Sequence, residues 1–169
     1  MISYEEFEDI VVKILNRDIS SNNDQRSAIL SPSNKSLFIV AGPGSGKTTV
    51  MVLKILKYLF VDDIEPNSIL ATTYTRKAAE ELYSRVLGWG DEIKNHLIDT
   101  IDDDFSKLLQ IDRIDFNQIK IGTTDSIAEE LLRDSIALLL SLFEEISRFN
   151  IFTTISSNSS YEIIFSLLI

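Results

Sequence analysis

The sequence contains no cysteine, so neither a disulfide framework nor a thiolate metal site is open to it. Its single histidine, His96, lies in an acidic stretch and cannot build a metal site alone. Long apolar runs are missing too. The most apolar stretch, Ile136 to Phe143, is interrupted by Ser141 and is too short to span a bilayer. The N-terminus, Met1 to Asp9, carries acids and no basic residue, which argues against a secretory signal. A cytoplasmic protein without membrane attachment is expected. Positive charge is scarce, with 16 Lys and Arg against 26 Asp and Glu, a formal net charge of −10. Affinity for polyanions comes mainly from phosphate neutralisation, so this charge works against indiscriminate nucleic-acid binding and any such site must be local. Half of the excess lies between Asp91 and Asp115, where eight acids face Lys94, Lys107 and Arg113.

At 169 residues, 44% hydrophobic and 25% charged, the chain has the make-up of one ordinary α/β domain with a real core. Its most informative stretch runs from Ser36 to Thr49. Leu37 to Val40 read as a buried strand, Ala41 to Gly46 as a glycine-rich turn, and Lys47 onward as a helix. That order suits a phosphate-binding P-loop, here A-x-x-x-x-G-K-T with Ala41 at the usual first glycine. Gly42, Gly44 and Gly46 can adopt angles that turn successive N–H groups toward an anion. The helix start adds orphan N–H groups and the positive end of its dipole. Lys47 would reach the β- and γ-phosphates, and the Thr48 hydroxyl would ligate Mg²⁺. Pro43, Ser45 and Thr49 complete the expected nucleotide-binding loop.

The remaining chain reads as alternating helices and strands. Ser3 and Glu6 form a capping box before a helix to about Arg17 that buries Phe7, Ile10, Val11, Ile14 and Leu15. A short helix over Asp24 to Leu30, capped by Asn23 or Asp24, ends at Ser31-Pro32. The P-loop helix continues to about Phe60, with Val50, Leu53, Leu56 and Phe60 inward. A strand is expected over Ser68 to Thr73, then a helix from Lys77 to about Leu87 ended by Gly88-Trp89-Gly90. One or two helices follow across the acidic segment, with Ile93, Leu97, Ile101, Phe105, Leu108 and Leu109 on one side. Lys120 to Thr124 read as a third strand. A helix from Ser126 to about Arg148, capped by Thr124 or Asp125, would bury Ile127, Leu131, Ile136, Leu139, Leu140, Phe143 and Ile146. This alternation predicts a parallel sheet flanked by helices.

Four segments in order resemble the opening motifs of the UvrD/Rep-like superfamily 1 DNA helicases. Asn23 to Ile29 is similar to the Q motif, which implies that Gln25, with Arg26 beside it, meets adenine; a carboxamide offers one donor and one acceptor to the N7/N6 edge. Ala41 to Thr48 has the wording of that family's P-loop. Thr73-Tyr74-Thr75-Arg76-Lys77, continuing to Leu82, resembles motif Ia. The resemblance there implies single-stranded DNA contact, with the Tyr74 ring stacking on a base and Arg76, in place of Asn, adding a phosphate contact. Gly122 to Ser126 resembles motif Ib, which adds Thr123 to the expected DNA contacts. Thr124 and Asp125 replace that motif's Phe and His, and an aspartate beside a phosphate would repel it, so Asp125 reads as a cap. The long spacing between these two motifs is similar to that of RecB/AddA-type relatives.

The resemblance implies a RecA-like P-loop NTPase domain that binds ATP and Mg²⁺ and, in a full-length helicase, couples hydrolysis to 3′-to-5′ movement on single-stranded DNA. No convincing Asp-Glu pair at the end of an apolar strand follows: Asp102-Asp103-Asp104 precede motif Ib, and Glu144-Glu145 sit in an amphipathic pattern. The fold is therefore expected to be truncated before Walker B. The expected division is residues 1–22 as N-terminal helix and loop, 23–135 as the first half of the ATP-binding domain, and 136–169 as the start of a helical subdomain. Such a piece is expected to hydrolyse ATP poorly or not at all. Two other readings are a non-catalytic nucleotide- or DNA-binding module and a different P-loop enzyme such as a small-molecule kinase. The sequence sets no oligomeric state.

Overall fold

The fold is taken from a computed structural model that describes residues 1–42, 44–100 and 105–149, with the side chains of 140–149 left out of the description. Its elements are helices α1 (Tyr4–Leu15), α2 (Asn23–Leu30) and α3 (Lys47–Phe60), strand β1 (Leu70–Thr73), helices α4 (Arg76–Thr100) and α5 (Phe105–Asp112), strand β2 (Lys120–Thr123) and helix α6 (Thr124–Phe149). β1 and β2 pair in parallel, with Leu70 opposite Lys120 and Thr73 opposite Thr123. The connection between them carries α4 and α5, since parallel strands need a long crossover. The expected α/β fold with a small parallel sheet flanked by helices is what forms.

Local chemistry explains the starts of α1, α2, α4 and α6. Ser3 Oγ accepts from the Glu6 N–H at 3.2 Å while the Glu6 carboxylate accepts from the Ser3 N–H at 2.7 Å, the capping box read from the sequence. α2 is capped one residue earlier than expected, by Asn22, whose Oδ1 accepts from the Asp24 and Gln25 N–H groups. Thr75 Oγ1 accepts from the Ala78 N–H and opens α4. Thr123, rather than Thr124 or Asp125, opens α6, its hydroxyl accepting from the Ser126 N–H at 3.1 Å.

The core is built around α3, whose Val52, Leu53, Leu56, Leu59 and Phe60 are almost wholly enclosed. Phe7 and Val11 from α1, Ile29 from α2 and Leu82, Val86 and Ile93 from α4 pack with it in one cluster. Buried Lys57, 3% exposed, sits within this apolar surface and pairs its Nζ with Asp62 Oδ2 at 2.5 Å.

Three expectations need correction. Gly88-Trp89-Gly90 does not end α4, which runs on to Thr100. Gly90 serves packing instead: an added Cβ would lie 2.6 Å from the Phe116 ring, which itself packs on Phe60 at a centroid distance of 6.1 Å. Trp89 is held by the Arg17 and Arg85 guanidinium groups over its ring. Second, Leu37 to Val40 form no strand; Phe38 and Val40 are 83% and 84% exposed. A strand exists only through a neighbour's hydrogen-bond ladder, and among the described residues β1 and β2 pair with each other while this run joins neither. Third, Leu131, Ile136 and Leu139 of α6 are exposed, and so are Phe105 and Leu109 of α5. Helical spacing reports a shared face but not whether another element covers it. Ile101, Asp102, Asp103 and Asp104, and the side chains of Leu140, Phe143 and Ile146, lie outside the described residues. α6 runs unbroken through residues 135 and 136, and Glu144 and Glu145 fall inside it.

Candidate nucleotide and DNA site

The start of α3 differs from those of α1, α2, α4 and α6 because its N-cap is Gly46, with φ 81° and no side-chain acceptor for the first-turn N–H groups. Gly44 also takes the left-handed region, at φ 75°, whereas Gly42 does not. Of the three glycines expected to bend the loop, two do so. An added Cβ at Gly46 would also come within 3.2 Å of Gln25 Nε2, so this position is restricted by both its angles and its neighbour. Pro43 lies outside the described residues.

Gly42 is instead the loop's acceptor. Its carbonyl receives the Ser45 hydroxyl at 2.7 Å and Lys47 Nζ at 2.6 Å, and Lys47 Nζ also donates to the Ala41 carbonyl at 3.0 Å. The ammonium is thus held at the centre of the loop. Thr48 and Thr49 follow Lys47 in the first turn of α3 and are half-buried. Gln25, 20 residues upstream of Ser45, donates from Nε2 to the Ser45 carbonyl at 2.9 Å. The residue expected to meet adenine and the residues expected to meet phosphate are therefore in direct contact. A cleft of about 630 Å³ opens beside them, lined among others by Gln25, Ser45, Lys47, Lys54 and Tyr58.

Arg26 is placed differently from Gln25. Its guanidinium turns to α1, with Nε and Nη2 donating to the Glu8 carboxylate at 2.5 and 2.8 Å. The carboxylate keeps the Arg26 pKa above its ordinary value. In this arrangement Arg26 braces α2 on α1 rather than lining the loop. Sequence reasoning also missed Lys54. Its Nζ donates to the Ala28 carbonyl at 2.8 Å, to the Ser31 carbonyl at 3.3 Å and to Ser31 Oγ. Burial and the neighbouring Lys57 ammonium push its pKa down to about 8, while Asp62 opposes them. The signal available was a lone lysine inside the apolar run Val50 to Leu56.

The second group of expected residues gathers at the carboxyl ends of β1 and β2. Tyr74 is 86% exposed, which excludes a core role for its ring. Arg76 and Lys77 follow it, exposed, at the start of α4. Thr73 Oγ1 donates to the Thr75 carbonyl at 3.0 Å, so the hydroxyls of Thr73 and Thr75 shape the turn that presents the ring. Thr123 lies beside Thr73 across the ladder, but its hydroxyl is engaged with Ser126. Asp125 stands exposed in the first turn of α6, where a negative charge suits the helix dipole.

Residues 21–167 match the family model described as the UvrD/REP helicase N-terminal domain. The chain belongs to that family. It is 42% identical over 91 residues to the probable DNA helicase II homolog of Mycoplasma capricolum, a match covering 53% of this chain and 13% of the relative. Against DNA helicase II of Escherichia coli the identity is 43% over 67 residues, covering 40% and 9%. Against the ATP-dependent DNA helicase PcrA of Staphylococcus epidermidis it is 39% over 72 residues, covering 43% and 10%. The matched part is thus about a tenth of each relative's length. Among the described residues no helix is long and apolar enough to cross a membrane, and no cluster of His, Asp and Glu could hold a metal ion.

Proposed function

We propose that the chain binds Mg²⁺-ATP on its P-loop and touches single-stranded DNA at the carboxyl ends of β1 and β2, as the N-terminal motor part of an ATP-dependent DNA helicase. The observation that carries the nucleotide reading is the contact between Gln25 and Ser45 beside Lys47. One side chain able to match the adenine edge is thereby joined to a loop suited to phosphate. Lys47 would exchange its loop carbonyls for β- and γ-phosphate oxygens, so that its ammonium meets a full negative charge instead of a carbonyl dipole. The first-turn N–H groups of α3 would meet the same phosphates. Arg26 would act through α2, by holding it on Glu8.

Mg²⁺ fits this site as a companion of the nucleotide. It keeps several waters and binds through substrate phosphates with few protein ligands, and the Thr48 hydroxyl would be one. When bound it would neutralise charge on the β- and γ-phosphates. On the DNA side, Tyr74 would supply a stacking face, with Arg76 and Lys77 as phosphate contacts. These local cations answer the problem set by a net charge of −10.

The test is calorimetric titration of the chain with Mg²⁺-ATP, Mg²⁺-ADP and Mg²⁺-GTP, alongside Lys47→Ala. Adenine-selective binding that falls at least tenfold in the variant is expected, since a hydrogen bond to a charged group contributes about 1.5–3 kcal/mol. Equal affinity for guanine would remove the role given to Gln25. Unchanged affinity in Lys47→Ala would remove the P-loop reading altogether.

A further inference from the structure

We propose that Lys54 is a positioning residue that sets base selectivity at this site by fixing α2, and with it Gln25, against the P-loop helix. The proposal rests on the nucleotide reading above and assigns a role to a side chain outside the loop itself.

α2 has eight residues and buries only Ala28 and Ile29. A helix this short does not hold its place by propensity, and its apolar contact is small. Polar anchors therefore determine where it sits. Asn22 caps its start, Glu8 holds Arg26 on its flank, and Lys54 holds its end. The Lys54 ammonium reaches the Ala28 carbonyl, the Ser31 carbonyl and Ser31 Oγ. The carbonyls at a helix end lack intrahelical partners and favour a cation, so this contact is specific to the end of α2.

Lys54 belongs to α3, about two turns beyond Lys47. One rigid helix thus carries both the lysine expected to meet phosphate and the lysine that anchors α2. At its other end α2 reaches the loop that leads into α3, through Gln25 Nε2 and the Ser45 carbonyl. Two tethers at opposite ends of α2 fix its distance and its rotation. A carboxamide that must offer one donor and one acceptor to a base edge depends on both.

The test compares wild type, Lys54→Met, Lys54→Arg and Ser31→Ala in the full chain. Affinities for Mg²⁺-ATP, Mg²⁺-GTP and inorganic tripolyphosphate are measured together, with circular dichroism to verify folding. In Lys54→Met the ATP-to-GTP affinity ratio should fall about tenfold while tripolyphosphate binding stays constant. Lys54→Arg should restore most of the ratio. Ser31→Ala should lower it less, from the other side of the contact. The Gln25 side-chain amide resonances should move in Lys54→Met, with faster hydrogen exchange in α2 than in α1 or α4. An unchanged ratio in folded Lys54→Met and Ser31→Ala overturns the proposal. A parallel loss for all three ligands overturns it as well, because that is what a merely structural lysine would give. Absence of nucleotide binding in wild type is the distinct outcome that defeats the underlying site reading.

Discussion

Thr73 and Thr123 stand opposite one another at the carboxyl ends of two parallel strands, although 50 residues of sequence separate them. The turn after Thr73 and the helix after Thr123 therefore leave the sheet at one edge, and Tyr74 projects from that edge into solvent. Tyr74→Ala should weaken binding of a short oligo-dT by about 1–3 kcal/mol, the range for one stacked base, and leave thermal stability within about 0.5 kcal/mol. Arg76→Ala should instead weaken binding and flatten its salt dependence by about one counterion. Fluorescence anisotropy at two salt concentrations separates the two effects. An unaltered affinity in Tyr74→Ala would place DNA elsewhere on the chain.

Two glycines in one helix should respond in opposite directions to the same substitution. At Gly88 an added Cβ meets nothing within 4 Å, so Gly88→Ala should stabilise the chain by about 0.5–1 kcal/mol through helix propensity. At Gly90 the same atom runs into the Phe116 ring, so Gly90→Ala should cost about 1–3 kcal/mol as an overpacked site. Urea unfolding of the two variants checks the sign. Destabilisation by both would mean that α4 is broken near Gly88 rather than continuous.

That pair also shows what the sequence could and could not convey. Capping residues, apolar spacing and the order of motifs are local signals, and they located α1, α3, β1 and β2 to within a few residues. Gly88-Trp89-Gly90 has the local appearance of a helix end, yet Gly90 answers to Phe116, a partner 26 residues away. Leu37 to Val40 have the appearance of a buried strand, but pairing is decided by a neighbouring edge that no local pattern contains. The candidate site followed the same division. Gln25, Lys47 and Tyr74 could be read from motif order. Lys54 and the Glu8–Arg26 pair could not, because their meaning lies in how α1, α2 and α3 meet.

Lys57 and Asp62 close the end of α3 with an ion pair whose two members differ in exposure, side-chain values being 4% and 22%. Removing the more exposed partner leaves a buried ammonium facing the Tyr58 ring at 5.5 Å without its carboxylate. Asp62→Ala should therefore cost about 3–5 kcal/mol, whereas Lys57→Met, which leaves a carboxylate closer to water, should cost less. Chemical denaturation of both variants and the double variant would measure the coupling. A larger cost for Lys57→Met would show that the aliphatic stem and its packing matter more than the charge.

Lys54 should give the chain a rising stability on the alkaline side of neutrality. Its pKa is about 8 in the folded chain against an ordinary 10.5, so between those values the unfolded chain holds a proton that the folded chain has released. Stability increases with pH wherever the unfolded state binds more protons, so this contribution grows above pH 8 and is lost as pH falls through 8. The charges that face the amine are Lys57, which lowers its pKa, and Asp62, which raises it; Tyr58 lies beneath it at 5.1 Å. Burial holds the Tyr4 and Tyr58 hydroxyls above their usual range, and both oppose the trend only where unfolded tyrosine ionises. The window from pH 8 to about 9.5 is therefore the one in which Lys54 dominates. Urea unfolding across that window should show wild type gaining stability relative to Lys54→Met. A difference that stays flat would mean that the oxygens of Ala28 and Ser31 hold the ammonium charged, and that the contact at the end of α2 outweighs the burial of its donor.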